Sequence, residues 1–118
     1  MKNFIDYNNI EILENDNLVA KVDITDIALN PFNIVHGGLI FSLGDTLMGI
    51  MAKKIRKDAV TLNSSINYIS PGKGKYLIAT CKVIKNGKNI CILEAIIKNN
   101  KDKLIATMTG TYVFIERI

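Results

Sequence analysis

Asp45 is the only charged residue in a stretch, Leu39 to Ala52, that is otherwise largely apolar. A carboxylate there is costly unless it is paired or put to use. No Lys or Arg stands three or four residues away; those positions hold Phe41, Ser42, Met48 and Gly49. Two readings are open. Asp45 is a structural residue held by Ser42 or by a group across an interface, or it is a base whose proton affinity burial raises. Upstream, Gly37-Gly38 stands where a helix carrying Asp45 would begin. A helix start presents unpaired N–H groups and the positive end of the dipole. Glycine lets a ligand carbonyl approach that backbone closely, as an oxyanion hole for acyl transfer requires; a plain turn would use the same pair. Asn30 could donate its side-chain amide to the same oxygen, or simply shape the Asn30-Pro31 turn. His36 is the only histidine, and a lone His before a helix is more often structural than catalytic. With no second His and no Cys nearby, no metal site is expected. Thiol nucleophile chemistry is disfavoured because Cys81 and Cys91 fall mid-strand, far from His36 in the chain. No phosphate-binding Gly-Lys-Ser/Thr loop and no dinucleotide glycine fingerprint occurs.

The elements that must position these residues follow from periodicity. Ile10 to Glu14 and Leu18 to Thr25 flank Asn15-Asp16-Asn17, a tight-turn cluster. In the second run Leu18, Ala20, Val22 and Ile24 alternate with polar residues, the period of a half-buried strand. From Gly38 to about Arg56 the apolar residues cover most of a helix's circumference, so that helix is buried. Its last turn is rich in cations (Lys53, Lys54, Arg56), which the dipole favours. Val60 to Ile69 alternates, with Thr61, Asn63, Ser65 and Asn67 on one polar face, and Ser70-Pro71-Gly72 ends it. Tyr76 to Ile84 and Ile90 to Lys98 flank Asn86-Gly87, a strong hairpin signal. With a two-residue loop, Cys81 would face Ile92 and Cys91 would face Lys82, which disfavours a disulfide. Lys103 to Ile115 forms the last strand, with apolar or β-branched residues on both faces. One long apolar helix among antiparallel strands calls for a curved sheet around it and a second subunit over the remainder. The fold class expected is α+β of the hot-dog kind, one domain over residues 1–118.

The 118 residues, 48% hydrophobic and 22% charged, exclude wholesale disorder. Fifteen basic against eleven acidic residues give +4, too weak and scattered for a nucleic-acid partner. The apolar run falls short of the ~20 residues of a membrane span. No signal peptide is visible near Met1, so a cytoplasmic location is expected.

The segment Asn30-Pro-Phe-Asn-Ile-Val-His36-Gly37-Gly38, followed after six residues by Asp45, resembles the signature of PaaI-like hot-dog acyl-CoA thioesterases. Val60 to Tyr68 with Ser70-Pro71 is similar to the family's second strand, and Lys85-Asn86-Gly87-Lys88 to its following hairpin turn. The resemblance runs over about residues 10 to 115. It implies an acyl-CoA substrate, with coenzyme A as part of the substrate rather than a cofactor. It implies Asp45 as the catalytic carboxylate and Gly37 as the N–H that polarises the thioester carbonyl. Asn30 would hold the carbonyl or the attacking water, His36 would position the loop, and Thr61 would orient water. Gly38, Tyr68, Ser70, Lys85, Asn86, Gly87 and Lys88 would contact substrate. It also implies a homodimer or homotetramer whose Asp45 serves the opposite subunit. Two departures stand out: Gly44 where Ala is common, expected to loosen the helix, and Asn33 where many members have Gly, expected to alter the loop. The acyl pocket is expected among Phe41, Met48, Met51 and the Ile-rich strands. Two other functions are compatible with such a fold: a non-catalytic acyl-CoA-binding regulator, and a hydroxyacyl-thioester dehydratase with His36 as base.

Overall fold

A computed structural model describes residues 3–14 and 17–115. After a short capped helix, α1 (Phe4–Tyr7), come β1 (Ile10–Glu14) and β2 (Leu18–Asp23), a 3-10 turn (Asp26–Ala28), the long helix α2 (Gly37–Ile55), and then β3 (Ala59–Tyr68), β4 (Tyr76–Asn86), β5 (Ile90–Asn99) and β6 (Leu104–Phe114). The two short helical turns have too little periodicity to be read from sequence. The β1–β2 turn expected at Asn15-Asp16-Asn17 falls partly outside the described residues.

The strands form one antiparallel sheet in the order β1-β2-β4-β5-β6-β3. Helix α2 crosses one face and packs against β2 through β6. Leu43, Leu47, Met48 and Ala52 on the helix meet Leu77, Leu93, Ile97, Ile105 and Met108 on the strands, all buried. Each of the larger side chains contributes about 1.5–3 kcal/mol relative to exposure. This is the hot-dog arrangement. No helix among the described residues is long and apolar enough to cross a membrane.

Burial is one-sided. Ile40, Leu43, Leu47 and Met48 face the sheet, while Leu39, Phe41, Ile50, Met51 and Ile55 stay only partly covered. On β6 likewise, Ala106, Met108, Gly110 and Tyr112 are buried, whereas among the residues that alternate with them only Ile105 is buried, Thr107, Thr111 and Val113 are half-buried and Thr109 is exposed. The two-faced burial expected of β6 is therefore not reached within one chain. Strand β3 pairs only with β6, so its other edge is open, and Leu62 on it is 63% exposed.

Three readings of local packing are corrected. The hairpin register differs from the two-residue-loop estimate: Cys81 faces Ala95 and Cys91 faces Asn86. A bulge between Val83 and Lys85 and a longer loop shift the pairing, and both thiols are free. Gly44 does not loosen the helix, because a Cβ there would fall 2.2 Å from the Met108 sulfur, which fills that space. Asn33 preserves a glycine-like loop, since its φ of 62° lies in the left-handed region that Asn tolerates better than most residues.

Candidate active site

The loop before α2 is tied down by Asn30. Its Oδ1 accepts hydrogen bonds from the N–H of Phe32 at 2.9 Å and of Ile34 at 3.4 Å. The turn-shaping reading is therefore met through the oxygen, and the Nδ2 group remains free to donate elsewhere. His36 caps the helix: its Nδ1 accepts from the Gly38 N–H at 2.9 Å. An accepting Nδ1 places the neutral ring's proton on Nε2, so neither nitrogen is an available base. Its ring borders a separate shallow depression with Ile27, Leu39 and Ser42.

The Gly38 N–H is thus consumed, and the Gly37 N–H has no hydrogen-bond partner among the described residues. It opens beside a cleft of about 430 Å³ lined by Asn30, Gly37, Gly38, Tyr68 and Ser70, with Ile34, Ile40 and Ile69 among its apolar walls. The apolar lining differs from the expected one. Met48 is fully buried in the core, and neither Phe41 nor Met51 reaches this cleft. The Tyr68 hydroxyl donates to the Gly37 carbonyl at 2.7 Å.

Asp45 lies eight residues beyond Gly37, about 12 Å along the same helix. Burial pushes its carboxyl above the ordinary value, and the Tyr112 hydroxyl pulls it part of the way back. Tyr112 itself is driven up, first by burial, then by the negative charge of Asp45, while Thr61 opposes the shift. It stays a protonated donor at neutral pH. Its hydroxyl is buried and faces Asp45 and Thr61 without completing a well-aligned hydrogen bond to either. A carboxylate, a phenol and the Thr61 hydroxyl therefore converge halfway along α2. Sequence reasoning missed Tyr112. The signal was present as Gly110 two residues earlier: the Tyr112 ring occupies the space that a Cβ at Gly110 would need, 2.9 Å from the ring's Cε1.

Strand β3 supplies both Thr61 and Tyr68 to the helix side, although they are seven residues apart and a regular strand would send them to opposite faces. The irregularity between Thr61 and Asn63 explains this. Thr61 pairs with Tyr112, Ser64 with Gly110, Ile66 with Met108 and Tyr68 with Ala106, all buried positions of β6. Thr61 is thus not on the face of Asn63, Ser65 and Asn67, as plain alternation predicts.

The turn at Lys85, Asn86, Gly87 and Lys88 is not brought to the cleft. The Lys88 carbonyl accepts from Arg56 at the C-terminal end of α2, which for 19 residues is about 28 Å from its start. One chain therefore holds three separate groups: the cleft at the helix start, Asp45 with Thr61 and Tyr112 at its middle, and the basic turn at its end. Among the described residues, no cluster of three His, Cys, Asp or Glu is placed to hold a metal ion.

Comparison with known proteins points the same way. The model of the thioesterase superfamily matches residues 32–106. The acyl-coenzyme A thioesterase PaaI of Escherichia coli is 33% identical over 104 residues, 86% of this chain and 74% of that one. A putative esterase of Archaeoglobus fulgidus is 34% identical over 103 residues, 85% of this chain and 67% of that one. A Bacillus halodurans protein crystallised with CoA superposes with a TM-score of 0.93 at 28% identity, over 100% of this chain and 82% of its own. With a family match over more than half the chain, including Gly37, Asp45, Thr61 and Tyr68, the chain belongs to the thioesterase superfamily, as a PaaI-like hot-dog member of this family of thioester hydrolases.

Proposed function

We propose that the protein hydrolyses acyl-coenzyme A thioesters in a site shared by two copies of the chain. The observation that carries this reading is the unpartnered Gly37 N–H, which opens at the helix start onto an apolar-walled cleft. A thioester carbonyl seated there would be polarised by that N–H and by the Asn30 Nδ2 group. As water attacks the carbonyl carbon, negative charge grows on the oxygen, and fixed donors stabilise it more in the transition state than in the ground state.

The base is Asp45, and burial makes it a stronger one. Within one chain it stands about 12 Å from Gly37, too far to take a proton from water at that carbonyl. A second copy docked along the open β3 edge and the uncovered side of α2 would supply its own Asp45. Two-fold symmetry then makes two equivalent sites. Water gives its proton to Asp45 and its oxygen to the carbonyl carbon. The tetrahedral intermediate expels the coenzyme A thiolate, and the proton returns to that sulfur. Attack by Asp45 itself, through an anhydride that water then opens, balances equally and uses the same geometry. Thr61 and Tyr112, flanking Asp45, orient the water and the carboxylate. Lys85 and Lys88, brought from the second copy, suit the phosphates of coenzyme A.

The dehydratase alternative asks His36 to act as base, and its Nδ1 is already engaged as the helix cap. A non-catalytic binder has no use for a half-buried carboxylate beside a phenol. Release of free thiol from a panel of short, long and aromatic acyl-CoAs tests the reading. Thiol release with free acid as co-product supports it; enoyl product, or binding without thiol release, refutes it.

A further inference from the structure

The peptide linking Gly37 to Gly38 is held at both ends by side chains. Its carbonyl accepts from the Tyr68 hydroxyl at 2.7 Å, and its N–H donates to His36 Nδ1 at 2.9 Å. The two holders come from different elements: Tyr68 from the end of β3, His36 from the cap of α2. A glycine pair is the least rigid dipeptide the chain can offer. An oxyanion donor, however, works only when its aim is set before charge develops. The Tyr68 ring also covers the side of Gly37 where a side chain would go, since a Cβ there would fall 3.2 Å from the hydroxyl oxygen and 3.3 Å from Cζ.

We propose that Tyr68 is a positioning residue of the oxyanion hole: its hydroxyl, acting with His36 on the Gly37–Gly38 peptide, holds Gly37 from its C-terminal side, while the His36 carbonyl, accepting from the Leu39 and Ile40 N–H groups, holds the adjoining His36–Gly37 plane, so that the Gly37 N–H is kept aimed at the cleft. The inference rests on the thioesterase reading and departs from a direct contact between Tyr68 and coenzyme A. A contact to the coenzyme is felt equally in ground and transition states and appears in KM. An aiming contact is felt as charge builds on the oxygen and appears in kcat.

Tyr68→Phe removes the hydroxyl and keeps the ring. Its expected effect is a fall in kcat of about tenfold to a hundredfold, with KM changed less than about twofold. The backbone order parameters of the Gly37 and Gly38 amides, about 0.85 when clamped, should fall toward about 0.6 in the variant. Unchanged kcat with raised KM would make Tyr68 a substrate contact and overturn the proposal. Unchanged kcat with rigid glycine amides would overturn it as well. Failure of the wild-type protein to release thiol from any acyl-CoA is a separate result: it refutes the thioesterase reading and leaves the clamp to be decided by the order parameters.

Discussion

Replacing Asp45 with Asn keeps the side chain's size and removes its charge, which separates its two consequences. For catalysis, loss of a general base lowers turnover by about 10²–10⁴, or about 2.7–5.4 kcal/mol of transition-state stabilisation. For stability the sign is opposite. Burial raises the Asp45 pKa in the folded chain above its ordinary 3.8, so the native state binds this proton more tightly than the unfolded state. The stability that the protonated carboxyl contributes is therefore fully present below that ordinary value and is lost as pH rises through the folded pKa. Asp45→Asn should thus melt no lower than the parent at neutral pH, and at higher temperature if the Asn amide is accommodated beside Tyr112. The difference should shrink toward zero at about pH 3, where both forms are uncharged. Thiol release from an acyl-CoA measures the first effect, and paired thermal melts at the two pH values measure the second. A folded variant with full turnover would refute the role given to Asp45. A variant that is inactive but also markedly less stable at neutral pH would show instead a structural carboxylate held by unrecognised partners.

Three further outcomes follow from particular contacts. Asn30→Ala should lower turnover about 10²–10³-fold with little change in KM; Asn30→Asp retains the turn-forming oxygen, so near-normal turnover in it would show that the loop matters and the amide does not. Tyr112→Phe removes the hydroxyl that lowers the Asp45 pKa, so the acid limb of the kcat/KM profile should move to higher pH; an unmoved limb would exclude the contact. Gly44→Ala puts a methyl 2.2 Å from the Met108 sulfur and should destabilise by about 1–3 kcal/mol through overpacking, read by denaturant unfolding; a neutral result would mean that Met108 finds another rotamer.

The helix and strands were legible because their apolar periods are clean: α2 runs Gly37–Ile55 and the four strands after it start and stop within a few residues of their sequence signals. The grouping of Asn30, Gly37 and Gly38 beside one cleft at the helix start was legible because motif spacing is local. What lay hidden is what a single residue of slippage controls. The bulge beside Thr61 reverses the parity of β3, and nothing in Val60-Thr61-Leu62-Asn63 announces it. Tyr112 was hidden for a related reason. It reads as one more inward residue of β6 until the sheet register sets it opposite Thr61 and the helix sets Asp45 above it. The location of the Lys85–Lys88 turn, at the far end of α2, depends on strand order, which periodicity does not contain.

The claim that one site draws Gly37 and Asn30 from one copy and Asp45 from another is tested most directly by mixing two impaired variants. Asn30→Ala and Asp45→Asn proteins are each unfolded, mixed in equal amounts and refolded together. Half of the resulting dimers are mixed, and each mixed dimer has one site with both residues intact, so about one quarter of wild-type thiol release should return. A mixture no more active than the mean of its two components would contradict the shared site and place Asp45 and Gly37 in the service of the same chain.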